Sequence, residues 1–475
     1  MAKKTNVLLI ITDQLRYDSI GINNAVCKTP TIDKLAHQGI SFGAVTPCPL
    51  CSPARTAIFT GKYPHQVRGK ENTKRDANDP LSVDNSTMLP NNNVADAKPV
   101  FPQLLKAAGY QTMYAGKWHM GNEIIHEWWD KACGYDTEEY SKWCADNGFE
   151  DGWAFNDYSV RSSIWPHMSN PKTAVMNIAP QNHGDAWIVD KALGYIKNRD
   201  AEKPFFTVCA VNGPHPPFKI PEPYFSMFDE NDIEEPENFN YLEGKPEYVK
   251  DCYYHQIVKE FSEDFKDWKK SIAVYYGFIK FLDDQIGRLI QCLKEENEYE
   301  NTLIIFTSDH GEMMGSHGLW HKMMPYEEAV RVPLIFSAPY IKNDLQCDTA
   351  VSLLDIAPTV LEIAGADEIP EDMQGISLKA LLTGNEPPGN RYLFSEHRPL
   401  GDFHKAVNWR MITDNEYKFV YNEDDKNEFY HLTDDPFEMK NLADDEKYFD
   451  LMEKYKERLK QWMSDTNDVI SFKEP

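Results

Sequence analysis

Four short apolar runs in this chain each stop at polar residues able to do chemistry. Val7–Ile11 leads into Thr12-Asp13, and Thr112–Ala115 leads into Gly116-Lys117-Trp118-His119. Phe205–Ala210 is followed closely by Asn212-Gly213-Pro214-His215, and Leu303–Phe306 by Thr307-Ser308-Asp309-His310. Runs this short, rich in Val, Ile and Phe, predict buried strands. Patterns of helical period lie between them. Pro102 suits the first turn of a helix that carries Leu104, Leu105 and Ala108 and stops at Gly109. Asp185–Lys197 carries Trp187, Ile188, Leu193 and Ile196, and a longer stripe runs through Ile279, Leu282, Ile286, Leu289, Ile290 and Leu293. Strands alternating with helices predict an α/β domain with a largely parallel sheet. Ligands bind such sheets at the carboxyl ends of their strands, so the four polar clusters predict one shared site.

Residues 66–100 and 122–180 lack clear periodicity and are rich in Asn, Asp and Trp, which reads as long insertions over that site. The stretch Gly384-Asn385-Glu386-Pro387-Pro388-Gly389 is a boundary signal. It divides a catalytic domain, residues 1–385, from a C-terminal subdomain, residues 386–475. In the latter, Arg391–Glu396, Trp409–Thr413, Tyr417–Asn422 and Glu428–Leu432 predict a small antiparallel sheet, and Glu446–Met463 a final helix.

Composition narrows the partners. The 475 residues carry a formal net charge of -26, which argues against nucleic acid and anionic membranes. No apolar run approaches the ~18 residues that span a membrane. The start Met1-Ala2-Lys3-Lys4 followed by only five apolar residues does not read as an export signal, so a cytoplasmic location is expected. Nine cysteines without regular spacing fit a reducing compartment.

Cysteine chemistry is concentrated in Cys51-Ser52-Pro53-Ala54-Arg55-Thr56-Ala57-Ile58-Phe59-Thr60-Gly61. Cys48-Pro49-Leu50-Cys51 is also a C-x-x-C, open to a redox or zinc reading. Zinc would want a second close pair, and a redox pair usually opens a helix in a small βαβ fold. The cysteine with proline, arginine and Thr-Gly at fixed offsets resembles the signature of type I sulfatases, and the likeness extends from the Asp13 strand to Tyr430-His431-Leu432-Thr433-Asp434-Asp435-Pro436. It implies an alkaline-phosphatase-like fold and a sulfuric ester hydrolase in which Cys51 is oxidised to formylglycine (3-oxoalanine). That conversion implies a partner, a formylglycine-generating or anaerobic sulfatase-maturating enzyme.

The resemblance also implies roles residue by residue. Asp13, Gln14, Cys51, Asp309 and His310 would hold a divalent cation, calcium before magnesium or manganese. Arg55 would hold the hydrated aldehyde, and Lys117 and Lys322 would clamp sulfate oxygens as compact point charges. His215 would protonate the leaving alcohol and His119 would act as base. His65, His317 and His321 stand near the same motifs and could support them. The strongly negative chain favours a small sulfated sugar over a long sulfated polymer as substrate. Trp118, Trp128, Trp129, Trp143, Trp153 and Trp165 could stack on sugar rings, although such residues are more often core. Two other readings stay open. Phosphonate monoester and phosphodiester hydrolases share the fold and often carry Asp-Gln and Asp-His pairs. A sulfated-glycan-binding protein without catalysis is the other.

Overall fold

The four apolar runs form strands, each level with its neighbours at the carboxyl end. The structure, a computed structural model, describes residues 3–67, 99–120, 125–134, 138–148, 173–341, 345–385, 389–398, 407–468, 470, 472 and 473. In chain order its first ten strands are β1 (Asn6–Thr12), β2 (Gly39–Val45), β3 (Gln111–Gly116), β4 (Lys131–Gly134), β5 (Thr173–Met176), β6 (Phe205–Ala210), β7 (Phe218–Pro221), β8 (Thr302–Ser308), β9 (Arg331–Ser337) and β10 (Leu345–Ser352). Eight form one sheet in the order β10-β2-β9-β8-β1-β6-β3-β4, while β5 and β7 pair separately. Within the large sheet only β9 runs against its neighbours. The register sets Thr12 beside Ser308, Ile11 beside Ala210, and Gly116 beside Ala210. The chain therefore leaves β1, β3, β6 and β8 along one edge.

Both faces of this sheet are covered, which is why its strands read as continuous apolar runs. Val7, Leu9 and Ile11 of β1 point into one core with Ile58, Phe59, Phe101, Leu105 and Val360. Leu8 and Ile10 point into the other, against Trp187, Ile188, Phe278 and Leu282. The predicted helices are present as Phe101–Ala107, Gly184–Lys197 and the last part of a 31-residue helix, Phe265–Glu295. Gly116 is required where β3 turns toward the site. Its φ is +111°, and a Cβ there would fall 1.9 Å from the Ala210 carbonyl oxygen.

The predicted C-terminal sheet is a four-stranded antiparallel meander of β11 (Leu393–His397), β12 (Trp409–Thr413), β13 (Tyr417–Asn422) and β14 (Glu428–His431). The helix Phe449–Asp465 packs Tyr455, Leu459, Trp462 and Met463 against Ile412, Phe419 and Phe429. That cluster also contains Ala57, Tyr63 and Leu354 from the helical layer of the large sheet, and a second joins Val45 and Val330 to Trp409 and Met411. The two sheets thus share apolar cores. Residues 386–388 of the predicted boundary lie outside the described residues.

One expectation needs correction. The stretch 122–180 is not simply an insertion over the site, because Lys131–Gly134 joins the large sheet as its edge strand. Residues 68–98 and 149–172, with Trp153 and Trp165, lie outside the described residues. Trp118, Trp128 and Trp129 are core, packed on Phe59, Tyr114 and one another.

Candidate active site

Cys51 is the first residue of the helix Cys51–Thr60, every residue of which is buried. The helix follows β2, whose carboxyl end lies on the same edge as the other four, and it ends at Gly61 in the left-handed region, φ +69°. A helix N-terminus favours negative charge on such a side chain. The Cys51 Sγ lies 3.2 Å from His310 Nε2, 3.7 Å from Asp13 Oδ1 and 3.8 Å from Lys117 Nζ. His119 and His215 also hydrogen-bond to it. Burial alone would push the thiol up, but Lys117, Lys322 and His310 outweigh it and hold Cys51 well below the usual thiol range. The surroundings are built for an anion at this position.

One helical turn on, Arg55 faces the same way and braces the two acids. Its Nε and Nη2 lie 3.0 and 2.9 Å from Asp309 Oδ2, and Nη2 lies 3.1 Å from Asp13 Oδ2. Its Nη1 donates to the Lys117 carbonyl at 2.9 Å. Lys117 Nζ adds a second cation to Asp13 Oδ2, at 2.7 Å. The opposite oxygens turn inward. His310 Nε2 is 3.9 Å from Asp13 Oδ1 and 3.6 Å from Asp309 Oδ1, while the backbone N–H groups of Gln14 and His310 donate to Asp309 Oδ1. Burial and the neighbouring Cys51 push Asp13 up, yet Lys117, His215 and Arg55 bring it well below the carboxylate range. Burial and the repulsion of Asp13 raise Asp309. Two carboxylates this close cannot both be comfortable as anions without more positive charge.

Gln14 takes a left-handed backbone, φ +69°. Its side-chain oxygen accepts from Lys322 Nζ, and its amide nitrogen donates to Glu312 and approaches His321 Nδ1 at 3.3 Å. His215 lies half-buried after β6, with Nδ1 2.6 Å from the Pro216 carbonyl oxygen. Burial, Lys322 and Lys117 take its pKa down to about 4. His119 is half-buried after β3. Every residue the sequence singled out for chemistry therefore comes to one edge of the sheet. Of the three supporting histidines, only His321 does. His65 is tied to Glu396, and His317 to Asn238 and Tyr241.

Residues 5–366 match the family described as sulfatase, and residues 315–465 match the one described as N-sulphoglucosamine sulphohydrolase, C-terminal. The chain belongs to the sulfatase family. Its likeness to an uncharacterised sulfatase, YidJ, of Escherichia coli K12 runs to 32% identity, covering 98% of this chain and 88% of the relative. A solved structure in complex with its substrate D-glucosamine-2-N,6-O-disulfate superposes with a TM-score of 0.76 at 22% identity, covering 98% of this chain and 99% of the other. A phosphonate monoester hydrolase from Silicibacter pomeroyi superposes with a TM-score of 0.77 at 22% identity, covering 99% and 98%. At these identities the two structures speak for the fold.

A divalent cation fits the sulfatase site. One ligand atom each from Asp13, Cys51, Asp309 and His310 lies within 4.8 Å of the others, all four residues are buried, and the acids crowd each other. Carboxylate oxygens and one imidazole suit a hard or borderline cation without choosing among them.

Other residues support this sulfatase site without having stood out in the sequence. Asp185 accepts from the backbone N–H groups of Asn212 at 2.6 Å and Gly213 at 3.1 Å, which anchors the loop carrying His215. The Tyr275 hydroxyl donates to the Gln14 carbonyl at 2.8 Å, and that of Thr46 to the Asp309 carbonyl at 2.7 Å. Glu312 accepts from the Gln14 amide. The position of Asp185 at the start of a predicted helix, just upstream of the β6 cluster, was the one available signal.

Proposed function

We propose that this sulfatase hydrolyses a sulfate monoester of a small sulfated carbohydrate, using formylglycine formed from Cys51 and a divalent cation, calcium first. The observation that carries the reading is the convergence of Lys117, Lys322, His119 and His215 on a buried position 51. A cation held by Asp13, Asp309, His310 and position 51 would neutralise sulfuryl charge, and formylglycine there would supply a hydroxyl able to attack sulfur. The side-chain oxygen of Gln14, expected from the sequence as a further ligand, here accepts from Lys322 and keeps that lysine in place.

The chain's own residues account for the rest. Lys117 and Lys322 reverse, locally, the field of a chain carrying -26 and draw the sulfuryl oxygens toward position 51. Arg55 fixes Asp13 and Asp309 so that their other oxygens stay aimed inward. The His215 Nδ1–H is committed to the Pro216 carbonyl, so Nε2 is the nitrogen turned to position 51. In the neutral ring it is unprotonated, and it must take up a proton, which the incoming sulfate charge favours, before passing one to the departing alkoxide. His119, bonded to position 51 from the other strand end, takes the proton that must leave it before sulfate departs. The sugar assignment is supported by a sequence relative of 26% identity over 99% of this chain, the N-acetylglucosamine-6-O-sulfatase of Bacteroides thetaiotaomicron.

The test is direct. Hydrolysis of sulfated monosaccharides and an aryl sulfate should need an aldehyde at position 51, detected by peptide mass. Unconverted protein should be folded and nearly inactive. Turnover by unconverted Cys51 protein at the converted rate would overturn the reading. The second reading, a phosphonate monoester hydrolase, is favoured by the Asp309-His310 pair, and an aryl phosphonate ester cleaved faster than the aryl sulfate would support it.

A further inference from the structure

His321 has no part in the chemistry described above, yet its ring lies inside the site. It is buried, 6.4 Å from the His215 ring between centroids, with Trp320 at 5.2 Å and Tyr254 at 6.2 Å. The charged groups it feels are Lys322, His215, Cys51 and His310.

Its protonation state follows from a chain of hydrogen bonds. Lys322 can only donate, so the Gln14 atom it meets is the side-chain oxygen. The Gln14 nitrogen then has two hydrogens. One goes to the Glu312 carboxylate, and the other faces His321 Nδ1 at 3.3 Å. Nδ1 is the acceptor, so in the neutral ring the proton sits on Nε2. That Nε2 is buried and meets no hydrogen-bond partner among the described residues. A buried N–H without an acceptor is costly, and native structures rarely keep one without use.

We infer that His321 is a substrate-contacting residue, a neutral donor whose Nε2–H binds an oxygen of the sulfuryl group between Lys322 and His215. This rests on the sulfatase reading above. The neighbours favour an anionic oxygen as the acceptor, since two lysines already draw one to this place. Gln14 acquires a purpose in the same arrangement. It orients Lys322 with its oxygen and His321 with its nitrogen, so one amide sets two sulfate donors.

The test uses inorganic sulfate as the probe, its affinity read by calorimetry and by inhibition of aryl sulfate hydrolysis, in proteins of equal aldehyde content. His321→Asn keeps an acceptor for Gln14 but cannot reach with a donor. It should weaken sulfate binding and lower kcat/KM by roughly 10- to 100-fold. His321→Gln places an amide N–H near the old Nε2 and should stay within about 3-fold of wild type on the same measures. His321→Phe gives the same loss as Asn should that variant fail to fold. Wild-type affinity in the Asn or Phe variant, or a Gln variant as weak as Asn, would overturn the inference. Failure of wild type to hydrolyse the aryl sulfate would instead overturn the reaction assigned above, and the calorimetric comparison would still decide the role of His321.

Discussion

Among the described residues, two buried places bring a histidine and two carboxylates together beside an arginine, and the two are built to different ends. At the sheet edge Arg55 spends itself on the Oδ2 atoms of Asp13 and Asp309 and leaves their Oδ1 atoms facing His310 and Cys51. Between the two sheets, His65, Glu396 and Asp468 form an equally tight set. There the bonds close. Glu396 Oε1 accepts from the His65 backbone N–H at 2.9 Å and Oε2 meets the His65 ring. Asp468 Oδ1 accepts from Arg410 Nη2 at 2.9 Å and from the Ile470 N–H, and Oδ2 takes Arg410 Nε. The electrostatics separate in the same way. Arg410 and His65 outweigh burial and keep both Asp468 and Glu396 below the carboxylate range, whereas at the sheet edge one acid is lowered and the other raised. Having candidate ligands close together is therefore not enough. What makes a site is the crowding of two acids whose charge the protein itself leaves only partly offset.

Mutations at the two places should behave differently, and the largest contrast concerns position 51. Cys51→Ala should lower kcat by at least about 1000-fold while the melting temperature stays within a few degrees, because the side chain carries chemistry rather than packing. A residual rate near wild type would erase the distinction between the clusters.

Next come the acids. Asp309→Asn should cost roughly 100- to 1000-fold in kcat/KM with little loss of stability, since it relieves one of two crowded carboxylates. Asp468→Asn should leave kcat/KM within about 3-fold of wild type but destabilise the protein by roughly 3 kcal/mol, because buried Arg410 loses the carboxylate that takes two of its N–H groups. Urea unfolding alongside steady-state kinetics on the two variants would break the comparison if the effects were exchanged.

A smaller effect sharpens the roles within the site. His215→Ala should slow a sugar sulfate by roughly 100-fold and an aryl sulfate with an acidic phenol by only a few-fold, since a good leaving group needs no proton. Equal losses across a leaving-group series would move the proton donor elsewhere.

The smallest effect is acid stability. The folded pKa values of Glu396 and Asp468 lie below their ordinary values of 4.5 and 3.8. As pH falls through that range the unfolded chain takes up protons first, so the stabilisation from this network, full above about pH 5, is lost as pH drops toward the folded pKa values. Thermal unfolding between pH 6 and 3.5 should show a shallower decline in Asp468→Asn than in wild type, and parallel curves would count against the network.

The strands that carry the site were legible because a doubly covered strand has no polar face to interrupt it. Phe205–Ala210 and the C-terminal strands Trp409–Thr413 and Tyr417–Asn422 fall where the residue pattern put them. β2, β9 and β10 did not announce themselves. β2 dilutes its apolar residues with Gly39, Ser41 and Gly43, β9 contains Pro333, and β10 at the sheet edge carries Gln346, Asp348 and Thr349. Site residues were legible where they follow a strand end, because register then aligns them. Asp185, Tyr275 and Glu312 were not, since each acts on backbone or amide groups, most of them brought close only by the fold. Tyr275 and Gln14 stand 261 positions apart.

The complete burial of Cys51 also sets a schedule. The side chains that close over it include His310, 259 positions downstream, and Lys322 beyond that. A ribosome releases position 51 long before it has made them. During that interval the Cys51 side chain is open to another enzyme, and once the second half of the chain docks it is sealed. For the proposed conversion of Cys51, an oxidising partner would therefore have to work on the growing or unfolded chain, and the speed at which residues after 300 arrive and pack would be a clock against which its action runs.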